Sequence, residues 1–165
     1  MNFPVACFLP KSNTSPEKIA QFYGEKNHPI IHLPLNYGLL DNLWEAPEIA
    51  AMINEYRNSL PEHGWPNWAI GSHDKKRIAA SVGPEQARIA AMLFLTLPGT
   101  PIFFAGDELG MAGGKMDWKQ ALDPFERLVP GFGLNRDPER TPMQWNADRN
   151  AGFTCGKPCF TSATA

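Results

Sequence analysis

Short apolar runs alternate with a helical pattern in the middle of the chain, and polar residues directly follow each run. Residues 68–70 and 102–105 are apolar runs of strand length, and residues 84–97 between them have the composition of a helix. Proline and glycine separate these segments, which limits how far each can extend. The alternation predicts βαβ units and hence an α/β fold with a parallel sheet, whose buried strands are continuously apolar.

Further elements are expected toward the start of the chain. Over residues 47–60, apolar side chains recur three and four positions apart, which predicts an amphipathic helix. A shorter helix is predicted to begin at Pro16 after a Ser15 cap and to end near Gly24. Residues 30–37 form a short apolar run, and we predict a strand there, although a proline within the run removes one ladder hydrogen bond.

The helix over residues 84–97 is expected to lie inside the protein. Its second half, residues 89–97, is apolar on nearly all sides. A helix with apolar side chains on every face is typically buried rather than half exposed. From residue 111 onward the pattern changes to a long stretch rich in proline and glycine, and a loop of that length is more often functional or disordered than a plain connection.

Charge and hydropathy exclude several classes of protein. The 15 Lys and Arg residues against 17 Asp and Glu residues give a formal net charge of −2, without the basic surplus of a general nucleic-acid binder. No apolar run approaches the ~20 residues that span a bilayer. Residues 1–10 have no basic start and contain two prolines, a poor secretion signal. We therefore expect no nucleic-acid partner, no membrane partner and a cytoplasmic location.

The cysteines and histidines do not form a recognisable metal or disulfide pattern. The cysteines are Cys7, Cys155 and Cys159, an odd number without regular spacing. Cys155 and Cys159 either pair, share a metal, or remain two free thiols, and the last is the simplest interpretation because no second ligand pair is present. The four histidines lack two-ligand helical spacing, and no glycine-rich phosphate loop occurs, so we expect neither metal nor cofactor.

Candidate functional residues follow the first apolar run. Consecutive strand residues point to opposite faces, so Ser72, His73 and Asp74 cannot line up as a catalytic triad. Asp74 would instead hold a sugar hydroxyl or a metal, with His73 donating to the same ligand; the alternative is a carboxylate that only stabilises a turn. Arg77 would pair with Asp74 or a substrate hydroxyl, unless it belongs to a solvated loop.

Two more charged groups allow two interpretations each. Asp107 and Glu108 follow the second run, either as acid and base groups or, as we favour, as turn carboxylates that accept hydrogen bonds from nearby backbone amides. Arg136 and Arg140 stand four positions apart, with acidic residues between them. They are either surface residues in weak local ion pairs or fixed donors aimed into a pocket.

Several stretches resemble the α-amylase superfamily of glycoside hydrolases. Residues 65–77 are similar to the Asn-His-Asp-x-x-Arg motif of its seventh barrel strand, residues 97–111 to its eighth-strand segment, and residues 32–37 to its sixth strand. Residues 140–145, Arg-Thr-Pro-Met-Gln-Trp, and residues 150–153, Asn-Ala-Gly-Phe, resemble the α-glucosidase and oligo-α-1,6-glucosidase branch. The likeness covers most of the chain.

The resemblance implies a fold and an activity. Residues 1–165 would form the C-terminal part, about strands 6–8, of an incomplete (β/α)8 TIM barrel, with residues 111–165 as a long irregular segment. The family carries out retaining hydrolysis or transfer at α-glucosidic bonds, which implies an α-linked gluco-oligosaccharide as the partner. The aspartate that matches Asp74 contacts hydroxyls of the reacting sugar and stabilises its oxocarbenium-like transition state. The substrate-binding residues expected from the match are His73, Arg77, Phe104, Arg136 and Arg140.

The chain also departs from the family pattern. Ser72 stands where asparagine is usual, Asp107 replaces a glutamate, and Phe104 and Ala105 make one wall more apolar. A complete barrel takes ~250 residues, and neither the nucleophilic aspartate nor the acid/base glutamate has a match here. We therefore expect this chain alone to be inactive. The alternative function is a non-catalytic binding or interaction module, as in transporter heavy chains that resemble the same branch.

Overall fold

A computed structural model describes residues 14–160 except Asn42, Lys115 and Asp117. The expectations on residues 1–10 and on Cys7 lie outside the described residues. The chain divides into two compact units, the first from Met1–Ile70 and Met92–Ile102, the second from Gly71–Ala91 and Phe103–Ala165. Within the described residues, no helix is both long and apolar enough to cross a bilayer.

The elements of the described chain are short. The α-helices are α1 (Pro16–Gln21), α2 (Gly38–Asp41), α3 (Ala46–Ser59), α4 (Ile78–Val82), α5 (Pro84–Thr96) and α6 (Pro124–Leu128). The strands are β1 (Gly24–Glu25), β2 (His28–Pro29), β3 (Asn67–Ala69) and β4 (Thr100–Ile102). Turns of 3₁₀ helix span Asp107–Leu109, Trp118–Gln120, Asp137–Arg140 and Arg149–Gly152.

The predicted helices form, but one of them is less buried than its sequence indicates. α3 and α5 confirm the expected helices over residues 47–60 and 84–97, and α1 begins at Pro16 as predicted but ends three residues before Gly24. The expected burial of residues 89–97 is wrong. Met92 and Leu95 are 63% and 59% exposed, because the described residues cover only the opposite face of α5.

The parallel pairing of β3 with β4 confirms the predicted parallel sheet, with Asn67 opposite Thr100 and Ala69 opposite Ile102. The predicted strand over residues 102–105 is wrong beyond its first residue. After Ile102 the backbone turns, since the Asp107 N–H donates to the Phe104 carbonyl at 2.9 Å instead of continuing a ladder.

The strand predicted over residues 30–37 is also wrong. The Asn67 amide group donates to the Pro34 carbonyl, and its Oδ1 accepts the Asn36 N–H at 2.9 Å. A buried side chain therefore satisfies backbone groups that a neighbouring strand would otherwise pair. Among the described residues before this segment, β1 and β2 form a small antiparallel pair.

A group of aromatic residues forms the core of the first unit. Trp68 is fully buried and meets the Tyr56 ring edge to face at 5.3 Å, and its Nε1 donates to the Pro98 carbonyl at 3.0 Å. The Tyr56 and Tyr23 hydroxyls lie 3.2 Å apart, and burial raises the pKa of Tyr56 far above its ordinary value. Each polar end of this apolar core therefore has a partner, as buried hydroxyl and indole groups require.

Candidate functional site

A tight turn in the second unit presents His73 and Asp74. The Ser72 hydroxyl accepts the Asp74 N–H at 3.0 Å, and Ser72 pairs with Lys75 in an isolated antiparallel bridge. The Ser72 side chain is therefore used within the turn and does not point toward a relay. His73 and Asp74 stand at the tip of the turn, with side chains 53% and 47% exposed.

Asp74 is the point at which the site residues meet. Its Oδ1 accepts a hydrogen bond from Arg136 Nη1 at 3.0 Å and one from Arg140 Nη2 at 2.9 Å. Its Oδ2 lies 3.4 Å from His73 Nε2. The Arg140 Nε also donates to the His73 carbonyl at 3.1 Å. The structure thus brings together His73, Asp74, Arg136 and Arg140, and their action on a substrate stays a prediction.

A further carboxylate, which the sequence analysis missed, holds Arg136. Asp123 is completely buried, and it accepts hydrogen bonds from Arg136 Nε at 2.7 Å and Nη2 at 3.1 Å. These bonds lower the pKa of Asp123 far below its usual range and raise the pKa of Arg136. The available signal was local: an Asp directly before Pro124 is typical of a helix N-cap, and Asp123 does cap α6 by accepting the Phe125 N–H at 3.0 Å.

Contrary to what the sequence analysis predicted, Arg77 is neither paired with Asp74 nor part of a solvated loop. Its side chain is only 2% exposed, and its Nη1 donates to Asp107 Oδ1 at 3.2 Å rather than to Asp74. Its Nη2 donates to the Glu139 carbonyl, and its backbone N–H donates to Glu139 Oε2, both at 3.0 Å. Phe104 lies against this group, with the Arg77 Cζ 4.6 Å from its ring centre. Burial keeps Arg77 from solvent in this structure, and a substrate contact of Phe104 stays a prediction.

The carboxylates of Asp107 and Glu108 confirm the favoured turn interpretation. Asp107 Oδ2 accepts the Phe104 N–H at 3.1 Å, and Glu108 Oε2 accepts the Gly106 N–H at 2.8 Å. Burial raises the pKa of Asp107, and it also raises the pKa of Glu139. Gly71 permits this packing, because a side chain there would collide with the Asp107 carboxylate.

A cavity of about 610 Å³ opens beside the Asp74 carboxylate. Asp74 and Arg136 line one side, and Phe125, Leu134 and Ala112 supply apolar surface. Cavities of this size that combine apolar walls with a few polar groups are typical of small-molecule sites. The described residues include no cluster of three or more potential metal ligands, and Cys155 and Cys159 are exposed free thiols.

Comparison with known proteins gives consistent matches. The family described as "Alpha amylase, catalytic domain" matches residues 36–165. Maltase A1 of Drosophila melanogaster is 34% identical over 152 residues, which is 88% of this chain and 26% of the maltase. An amino acid transporter heavy chain of Rattus norvegicus is 33% identical over 145 residues, 87% of this chain and 20% of the relative.

A solved structure is also similar. The crystal structure of an alpha-glucosyl transfer enzyme, XgtA, superimposes with a TM-score of 0.85 and 29% identity over 96% of this chain and 30% of the enzyme. The chain therefore spans about a quarter of the first curated relatives, 26% and 25% of their lengths, and less than a third of this enzyme.

Proposed function

The chain belongs to the alpha-amylase catalytic-domain family of glycoside hydrolases, and from that membership we propose that it forms the sugar-binding part of an α-glucosidase-like enzyme. The substrate class would be oligosaccharides with α-glucosidic bonds. The likeness to XgtA supports a TIM-barrel-derived fold, and within it we assign this chain to about strands 6–8, with residues 111–165 as an irregular extension. Maltases and an alpha-glucosyl transfer enzyme among the similar proteins support this choice.

The observation that carries the proposal is the orientation of Asp74. Two guanidinium groups hold its Oδ1 at 2.9 and 3.0 Å, so the carboxylate is fixed before any ligand arrives. About half of the side chain remains exposed, and among the described residues its Oδ2 has the longer 3.4 Å contact with His73. A carboxylate fixed in this way accepts sugar hydroxyls and stabilises positive charge that develops on the sugar, without rearranging during the reaction.

The other expected residues would have different roles in sugar binding. Arg136 and Arg140 are about one-third exposed, at 29% and 33%, and would donate to sugar oxygens beside Asp74. His73, at the tip of the same turn, would donate to the same sugar. Arg77 and Phe104 would act indirectly, by fixing the loop that carries the arginines. Retaining hydrolysis needs two carboxyl groups about 5–5.5 Å apart, and no residue of this sequence matches that pair, so we propose that the chain alone does not turn over substrate.

Calorimetric titration of the 165-residue chain with maltose and isomaltose tests the proposal. We expect binding of at least one sugar, a loss of about tenfold in affinity in Asp74→Asn, and no loss in Glu85→Gln, an exposed carboxylate on α5. No release of aryl from an aryl α-glucoside is expected. Absence of sugar binding, or equal affinity of the Asp74→Asn variant, would rule out the sugar site. If the chain releases aryl from the glucoside and Asp74→Asn abolishes that release, the chain is active and the proposed lack of turnover is wrong.

A non-catalytic interaction module remains the second candidate, favoured by the 33% identity with a transporter heavy chain. The Asp74 carboxylate, held by two arginines and half exposed beside a cavity, favours sugar binding over this alternative. The titration separates the two, since a module that has lost its sugar site would bind neither disaccharide.

A further inference from the structure

Arg136 reaches Asp74 while a second carboxylate already holds it. Its Nε donates to Asp123 Oδ2 at 2.7 Å, and its Nη2 donates to Asp123 Oδ1 at 3.1 Å. The donors of a guanidinium lie in one plane in a fixed fork. Two bonds on one edge therefore set the plane of the group and leave Nη1 directed at Asp74, 3.0 Å away.

Asp123 is rigidly supported in turn. Its Oδ2 also accepts the Arg136 backbone N–H at 2.9 Å, and its Oδ1 accepts the Phe125 N–H at 3.0 Å. Asp137 Oδ2 accepts the Asp123 N–H at 2.9 Å and the Leu122 N–H at 2.7 Å. The carboxylate cannot rotate without breaking several of these bonds, so it is a fixed anchor.

Burial separates the anchor from the ligand-facing groups. The Asp123 side chain is 0% exposed, whereas Arg136 is 29% and Asp74 is 47% exposed. A sugar in the adjacent cavity could touch Arg136 and Asp74, but Asp123 lies behind them. The Phe125 ring, 5.2 Å from the Arg136 Cζ, covers one face of the guanidinium. Asp123 can therefore reach a ligand through Arg136, or through the α6 cap that holds Phe125 at the cavity wall, and its two bonds to the Arg136 side chain make Arg136 the direct route.

We propose that Asp123 is a positioning residue, which fixes the orientation of Arg136 and, through Arg136, that of the Asp74 carboxylate. The consequence for sugar binding rests on the proposed function. The orientation of Arg136 does not, and it can be measured without any ligand.

Hydrogen exchange of arginine Nε–H groups in the ¹⁵N-labelled chain measures that orientation directly. We expect the Arg136 Nε–H to exchange at least about tenfold more slowly than the Nε–H of exposed Arg149, because a charge-assisted bond to a buried acceptor must open first. Asp123→Asn should remove most of that difference. Equal exchange of the two groups in the unsubstituted chain overturns the proposal whatever the variants do.

Glu126→Gln is the matched control. Glu126 is a buried carboxylate on the same helix, three residues away, and its Oε1 accepts the Gly131 N–H at 3.0 Å. Loss of its charge should leave Arg136 exchange unchanged. If Asp123→Asn does not fold, Asp123→Ser keeps a side-chain oxygen for the α6 cap and removes the fork to Arg136.

Titration with maltose and isomaltose then tests the link to binding. Asp123→Asn should weaken affinity about tenfold, and it should have no further effect when Arg136 is already methionine. An equal loss in the Arg136→Met background would show that Asp123 acts by another route and would overturn the proposal. Should the unsubstituted chain bind neither sugar, the proposed function fails, while the exchange rates still decide whether Asp123 positions Arg136.

Discussion

Four carboxylates of the second unit have different surroundings and therefore different chemistry. Asp74 faces solvent with two arginines on one oxygen, whereas Asp123 is buried against Arg136. Asp107 and Glu139 are buried around Arg77, and desolvation outweighs their hydrogen bonds, so their pKa values are raised. Similar side chains thus form an exposed group, a buried anchor and a structural brace.

The pH dependence of stability should separate the anchor from the brace. The pKa of Asp123 is lowered by folding, so its stabilisation is complete above the unfolded value of about 4 and is lost as pH falls through the folded value. The free energy of unfolding in urea should therefore differ most between the unsubstituted chain and Asp123→Asn at pH 5 to 7, and the difference should shrink below about pH 4. A difference that grows on acidification would contradict the lowered pKa.

Asp107 and Glu139 should show the opposite sign. Because burial raises the pKa of both groups, their charged forms oppose folding above the ordinary value, and this cost is relieved as pH falls through the raised values. The free energy of unfolding in urea, compared between the unsubstituted chain and Asp107→Asn, tests this. The value of the unsubstituted chain minus that of the variant should be smallest at neutral pH and should increase as the pH falls.

Removal of Arg77 should be one of the most damaging single changes in the second unit. Arg77→Met leaves the Asp107 carboxylate and the Glu139 carbonyl buried without their partner, and breaking a buried pair costs about 3 kcal/mol. Urea unfolding should show this loss, and a smaller one when Asp107→Asn is already present. Arg57→Met, an exposed arginine of α3, should change stability by less than about 0.5 kcal/mol. Losses of equal size in the two variants would contradict a bracing role for Arg77.

Prediction of single residues from sequence identified the charged residues of the site, but it failed where burial determines which partner a residue contacts. The sequence left Arg136 and Arg140 either as surface residues in local ion pairs or as donors aimed into a pocket, and in the structure both donate to Asp74. Three consecutive basic residues ending at Arg77 looked like a solvated loop or a ligand contact, but the third is buried, and a charge pattern contains no information on what covers it. Asp123 was overlooked because its partner is 13 positions away.

At the scale of elements, the 3₁₀ turn at Arg149–Gly152 has an unusual backbone. Asn150 and Ala151 have φ values of 55° and 53°, followed by Gly152 at 69°. The Ala151 carbonyl accepts the Trp145 N–H at 2.8 Å, which closes the loop. A β-carbon in this left-handed region costs roughly 1–2 kcal/mol, so the turn is held by its hydrogen bonds against an unfavourable conformation.

Ala151→Gly should therefore stabilise the chain. The relief of strain exceeds the greater entropy of glycine in the unfolded chain, and we expect a net gain of about 0.5 kcal/mol. The free energy of unfolding in urea measures it. Ala147→Gly, in the same loop without a positive φ, should be destabilising instead. A stability loss in both variants would show that the left-handed conformation of Ala151 carries no strain.

Element prediction from sequence followed the same physical division. Helices α3 and α5 were predicted correctly, because apolar periodicity and the position of proline are local signals for a helix. The strand over residues 30–37 failed because a distant side chain, the Asn67 amide, binds its backbone groups. The strand over residues 102–105 failed because the Asp107 carboxylate, three positions away, accepts the Phe104 N–H in a local turn. Apolar runs alone cannot distinguish a strand from a segment whose amides are satisfied by side chains.

At the scale of the whole molecule, the family predicted from the sequence is confirmed, and the position within the barrel stays a prediction. The order of motifs in residues 65–77 and 140–145 identified the family, and the match over residues 36–165 confirms it. Composition and periodicity alone predicted only an α/β chain with polar strand ends. The assignment to strands 6–8 stays a prediction, and this chain covers 30% of the XgtA chain.

The loop that carries Arg136 has a consequence for how such a site can be exchanged between proteins. Asp123 and Arg136 are joined across 13 positions, Asp137 closes the same segment 14 and 15 positions back, and Glu126 bonds to Gly131 within it. Several of the hydrogen bonds that hold the segment therefore join residues of the segment itself. Recombination or protein engineering could therefore transfer the segment as a unit, with the side chain of Arg136 already held in its orientation.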